Sequence, residues 1–135
     1  MARNTSRAEI LEGQTIWLTA RPLGPDGAVL LRANIDSGEL KVYDPKSATP
    51  DTPVDTVTLG FSGNPGTGTN CMWTALVTDG YWSVDNIGYS FQFGFTPADF
   101  PMAGSKTYRI EVELETTDFH LLPMVWFIKV EERAG

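Results

Sequence analysis

Basic charge, cysteine, histidine and long apolar runs are all scarce in this chain. Only 10 lysines and arginines face 17 aspartates and glutamates over 135 residues, giving a formal net charge of −7. That balance opposes a sequence-independent grip on nucleic acid, which depends on clustered Lys and Arg, so no nucleic-acid partner is expected. A lone cysteine, Cys71, excludes an internal disulfide and lacks the partners a structural zinc site requires; its expected place is that of a small buried hydrophobe. The one histidine, His120, lies two residues from Asp118 in "TTDFHLLP", where a turn-bonding or solvent-exposed pair outweighs a catalytic dyad, and no nucleophile accompanies it. The opening "MARNTSRAEILEG" has no apolar stretch of signal-peptide length, and no later run approaches ~18 apolar residues, so neither export nor a membrane span is expected. The aspartates of "GPDG" and "DPKSATPD" stand apart, without the ligand density of a calcium loop. Neither metal nor cofactor is expected.

Helical spacing is missing from every long window, and the one expected helical turn is "TPADF" at residues 96–100, with Thr96 as cap and Pro97 in the first helical position. Alternation takes its place. Ile16, Leu18 and Ala20 alternate with polar or outward residues, as do Leu40 with Val42, and Val57, Leu59 with Phe61. Tyr89, Phe91, Phe93 and Phe95 form an aromatic series of the same period, and Met124, Trp126, Ile128 and Val130 another. In "KTYRIEVELE" the apolar column is Tyr108, Ile110, Val112 and Leu114, and the reverse column is Thr107, Arg109, Glu111, Glu113 and Glu115. A slip of one residue would bury the three glutamates, so the register is strongly specified, with the acidic column expected on the solvent side.

Turn formers separate these runs: "GPDG", "DSG", "SGNPGTG", "TDG" and "PMAGS". Roughly seven or eight short strands without a helical crossover indicate an all-β fold, an antiparallel sandwich in preference to a barrel. The composition, 41% hydrophobic and 20% charged, lies within the ordinary globular range. One domain over residues 14–135 is expected, preceded by an extended N-terminal arm at residues 1–13. The segments at residues 44–53 and 62–70 read as long loops inside that domain.

The string "DNIGYSFQFGFTPADFPMAGSKTYRIEVELETTDF", residues 85–119, resembles the C-terminal half of small immunoglobulin-like domains in tailed-phage virion proteins, including the N-terminal domain of baseplate upper proteins. The match runs through Gly88, Tyr89, Phe91, Phe100, Pro101, Gly104, Tyr108, Arg109, Glu111 and Glu113. The early segments "EGQTIWLTARPLGPDGAVL" and "LKVYD" are similar to that family's opening strands. These motifs consist of turns and core positions, and they imply an immunoglobulin-like sandwich in which Pro101, Gly104 and Tyr108 are structural. Tyr108, four residues after a glycine at a strand opening, fits either a tyrosine corner or an ordinary core aromatic. Baseplate upper proteins carry further domains after this one, whereas the sequence stops at Gly135, so a domain acting through its own surfaces is expected.

The resemblance implies a structural protein of the virion, assembled in the host cytoplasm, without enzymatic activity. The leading expectation is a capsid decoration or cement subunit that binds the major capsid protein or another virion protein as a homo-oligomer. A tail or baseplate component and a carbohydrate- or receptor-binding module stand as alternatives. Candidate interaction residues are Arg3, Arg7, Ile10 and Leu11 of the arm, which would lie over a neighbour or add a strand to it. Trp17 and Phe127 join them because each falls on the supposedly wet face of its strand, where an apolar side chain suggests a covered surface or a strand buried on both sides. Tyr81 and Trp82, beside the turn in "DGYWSVD", either stack on a sugar, together with Trp73, or plug a core edge.

Overall fold

Alternating burial along a strand requires two layers, and the chain builds them. The structure, a computed structural model, describes residues 5–11, 15–46, 48–82, 84–95, 106–116 and 123–131. In chain order its strands are β1 (Thr5–Leu11), β2 (Ile16–Ala20), β3 (Ser37–Tyr43), β4 (Asp55–Thr58), β5 (Met72–Val77), β6 (Tyr89–Phe95), β7 (Lys106–Glu115) and β8 (Met124–Glu131), with a 3-10 turn at Arg32–Asn34. They form two sheets, ordered β1-β8-β7-β3-β4 and β2-β6-β5. Among the described residues every strand pairing is antiparallel except that of β1 with β8, and the isolated bridge of Gly60 with Asn70 is also parallel. The fold is an all-β antiparallel sandwich.

The apolar columns meet between the sheets. Tyr108, Ile110, Val112 and Leu114 of β7 are all at most 2% exposed. With Leu40, Val42, Trp126 and Ile128 they face Leu18, Met72, Phe91 and Phe93 of the smaller sheet in one cluster. The layers touch directly where Phe91 stacks on Trp126, ring centroids 5.7 Å apart. Each such large side chain contributes about 1.5–3 kcal/mol by leaving water. Leu59 joins this core from just beyond β4, with Val57 and Phe61 packed against it.

The reverse column of β7 departs from the expected wet face. Thr107 and Glu115 are exposed, but Arg109, Glu111 and Glu113 are half-buried. Register explains it: Arg109 lies between Tyr43 and Phe127, and Glu111 between Lys41 and Val125, so bulky neighbours shield both. The Arg109 guanidinium rests 4.4 Å from the Tyr43 ring centroid, and its Nε lies 2.6 Å from Glu111 Oε2. Lys41 Nζ approaches Glu113 Oε1 at 3.7 Å. Burial and the nearby Glu111 charge together push the Tyr43 phenol pKa upward.

Residues 5–11 of the expected arm pair within this chain. They form the outermost strand of the larger sheet, with Arg7 in register with Phe127, Ile10 with Val130 and Leu11 with Glu131. Arg3, Pro101 and Gly104 lie outside the described residues, as do the expected helical turn at residues 96–100 and the His120–Asp118 pair. Tyr108 is 2% exposed and sits third in β7; the upstream residues to which a corner hydroxyl would bond are outside the described residues.

Candidate functional site

Residues 78–88 link β5 to β6, and their sequence, "TDGYWSVDNIG", places an aspartate near each end of an aromatic and apolar stretch. Short carboxylate side chains fold such segments by accepting nearby backbone N–H groups. Asp79 Oδ1 accepts from the Tyr81 N–H at 3.0 Å, and its backbone carbonyl from the Trp82 N–H at 3.2 Å. Asp85 Oδ1 accepts from the N–H groups of Ile87 and Gly88 at 3.0 and 3.2 Å. The segment re-enters β6 through Gly88, whose φ is +106°, and an added Cβ there would sit 2.5 Å from the Val77 carbonyl oxygen. Only glycine fits that corner.

Long-range bonds then fasten the loop onto the smaller sheet. Arg21, just past β2, donates from Nη2 to Asp85 Oδ2 at 2.8 Å, and from Nη1 to Asp85 Oδ1 at 3.0 Å and the Gly88 carbonyl at 2.9 Å. Trp82 Nε1 donates to the same Asp85 Oδ1 at 2.9 Å. The guanidinium of Arg21, the Trp82 indole and the backbone donors of Gly88 and Ile87 together hold the Asp85 carboxyl well below the usual carboxylate range. The pairing in turn raises the Arg21 pKa. Tyr89 OH donates to Asp79 Oδ2 at 2.8 Å, and burial with the Asp79 hydrogen bond and charge pushes its phenol pKa up. Trp73 Nε1 donates to Gln92 Oε1 at 3.0 Å.

The aromatic residues divide. Trp82 is half-buried, its ring 5.7 Å from that of Tyr89 and 5.7 Å beneath the Arg21 guanidinium. Trp17, also half-buried, lies over Gly94, where an added Cβ would meet its ring at 3.0 Å. Tyr81 leans against Trp17 with centroids 5.8 Å apart, while its carbonyl accepts from Thr19 Oγ1 at 3.3 Å. Yet Tyr81 remains 56% exposed, and Val84 and Ile87 are 72% and 54% exposed. The outcome is a fastened loop that leaves three large apolar side chains exposed.

Trp17, Tyr81 and Trp82 are therefore brought together, with Trp73 nearby in the network of Gln92 and Tyr89. Phe127 is not part of that group: it lies half-buried on β8 in the other sheet, in register with Arg7 and Arg109. Val84, Ile87, Asp79, Asp85, Arg21 and Gln92 escaped the sequence reading. The two aspartates flanking "GYWSV" were its available signal, whereas Arg21 is 64 residues from Asp85 and no local pattern links them.

A concavity of about 300 Å³ lies on the larger sheet among Ser37, Gly38, Glu39, Thr58, Glu113 and Glu115. Ser37 Oγ donates to Glu115 Oε2 at 3.2 Å. Its carboxylates stand in open rows on neighbouring strands, the arrangement of a solvated surface. Among the described residues no group of three or more His, Cys, Asp or Glu side chains is arranged to hold a metal ion. Compared with known families, characterised proteins and solved structures, the chain matches none.

Proposed function

We propose that this chain is a structural, non-enzymatic virion protein of a tailed phage, a decoration or cement subunit that clamps the head lattice through residues 78–88. The observation that carries the reading is how that loop divides its groups. Asp79, Asp85, Arg21 and Gln92 are engaged within the molecule, and the large apolar side chains Tyr81, Val84 and Ile87 are left exposed, with Thr78 and Asn86 exposed beside them. Large apolar side chains exposed on a loop fastened to its own sheet suit burial against a protein surface.

Support for the phage assignment comes from the resemblance over residues 85–119 and from strand order. The β2-β6-β5 sheet facing β8-β7-β3-β4 follows the order B-E-D facing G-F-C-C′ of immunoglobulin-like sandwiches. In that correspondence Tyr108 lies near the start of strand F, where a tyrosine corner belongs. A repeated lattice makes modest individual contacts sufficient, because an oligomer engages several at once.

The second reading, a glycan- or receptor-binding module, draws on the tilted Trp17–Tyr81 ring pair beside Thr19. One experiment separates the two. The purified chain is added to phage heads and tails that lack it, and in parallel to a glycan array. Cosedimentation with heads and a raised shell melting temperature are the expected result. Binding to tails alone would move the protein to the tail, and glycan binding without particle binding would overturn the lattice role.

A further inference from the structure

A sheet edge is a row of unpaired N–H and C=O groups, and proteins blunt such edges with short strands, proline or bulges. Among the described residues the two sheets have four edges, and three of them are blunted. Strand β4 spans only four residues beyond Pro53, β2 only five before Pro22, and β5 is broken by a register shift between Met72 and Val77. The fourth edge is β1. It runs seven residues, "TSRAEIL", without proline or glycine, and among the described residues it has β8 on one side and no strand on the other.

Its charges are self-complementary. When two copies of β1 are laid antiparallel about a two-fold axis at Ala8, Arg7 of each faces Glu9 of the other, Ser6 faces Ile10 and Thr5 faces Leu11. Every residue of the strand is then paired, and the smallest side chain sits on the axis. Centring on Arg7 or on Glu9 instead sets like charges face to face, which is destabilising. We infer that β1 is an isologous interface between two copies of this chain, in which the two larger sheets join edge to edge through antiparallel β1 pairing registered by the Arg7–Glu9 contacts.

An axis perpendicular to the joined sheet leaves both smaller sheets on the same side. Both copies of the 78–88 loop then belong to smaller sheets on one side of the joined sheet, at opposite ends about the two-fold, so that a partner surface on that side meets both. Only that consequence rests on the proposed docking role; the dimer itself does not.

The test is a charge exchange on the full chain, read by sedimentation equilibrium. The unaltered protein is expected to dimerise. Arg7→Glu and Glu9→Arg each convert both contacts to like-charge pairs and should each raise the dimer dissociation constant about tenfold. The double variant Arg7→Glu/Glu9→Arg should restore it. A monomer at every concentration, single variants that dimerise unchanged, or a double variant no tighter than the singles would each overturn the interface. Cysteine pairing gives a readout independent of charge: an Arg7→Cys chain mixed with a Glu9→Cys chain should form a disulfide-linked dimer under mild oxidation, and neither alone should. Native Cys71, fully buried, stays out of that reaction. Equal crosslinking in all three samples, or none in the mixture, would sink the register.

Discussion

Asp85 collects donors from Arg21, Trp82, Ile87 and Gly88, and every one of those bonds favours its ionised form. A carboxyl held below its ordinary pKa contributes stability that is fully present above the unfolded value, near about 4, and is lost as pH falls through the folded one. Asp85→Asn keeps the shape and removes the charge. The variant should therefore melt at a lower temperature than the parent at neutral pH, and the difference should shrink progressively below about pH 4. Thermal melts across that range, followed by tryptophan fluorescence because Trp82 bonds to this carboxylate, measure it. A difference that stays constant with pH would mean that the packing of the loop, and not the charge of Asp85, supports it.

Strand β7 carries two unlike faces one residue apart. Val112 is fully buried, while its neighbour Glu113 is half-buried and reaches Lys41 at 3.7 Å. Glu113→Val removes a partly exposed pair worth under about 1 kcal/mol and places a β-branched residue on a strand, so urea unfolding should shift by no more than that. Val112→Glu puts a carboxylate between the sheets and should abolish cooperative unfolding. Similar midpoints for the two variants would show that the faces of β7 are misassigned. The same period-two logic made β2, β3, β6, β7 and β8 legible from sequence, because each strand there has one face in the shared core. It failed at β5, where the register shift breaks alternation and Thr74 and Ala75 are consecutive exposed residues. It failed again at β1, whose seven residues mix polar and apolar types and whose place beside β8 depends on contacts across more than a hundred residues of chain.

Across the whole molecule, Glu39, Glu113 and Glu115 gather at one concavity of the larger sheet, and a fastened loop with exposed apolar side chains lies against the smaller one. The candidate site was half legible. "DGYWSVD" announced Tyr81 and Trp82 by residue type, but which ring stays outside is decided by Arg21, Asp79 and Tyr89, partners that only the folded chain assembles. If the loop docks, Val84→Asp and Ile87→Asp should each weaken particle binding about tenfold or more, since each forfeits roughly 1.5–3 kcal/mol of apolar burial. Their melting temperatures should stay close to the parent's, because both side chains already face solvent. Loss of binding only together with loss of fold would remove the loop from the interface.

The Gly88 corner and the Asp85 bonds also bear on kinetics. A segment ordered within its own molecule surrenders its backbone entropy when the chain folds, not when it meets a partner. Encounter then needs no slow rearrangement, so association should proceed in one exponential phase at a rate limited by diffusion and orientation, and differences in affinity among variants should reside in how fast complexes fall apart.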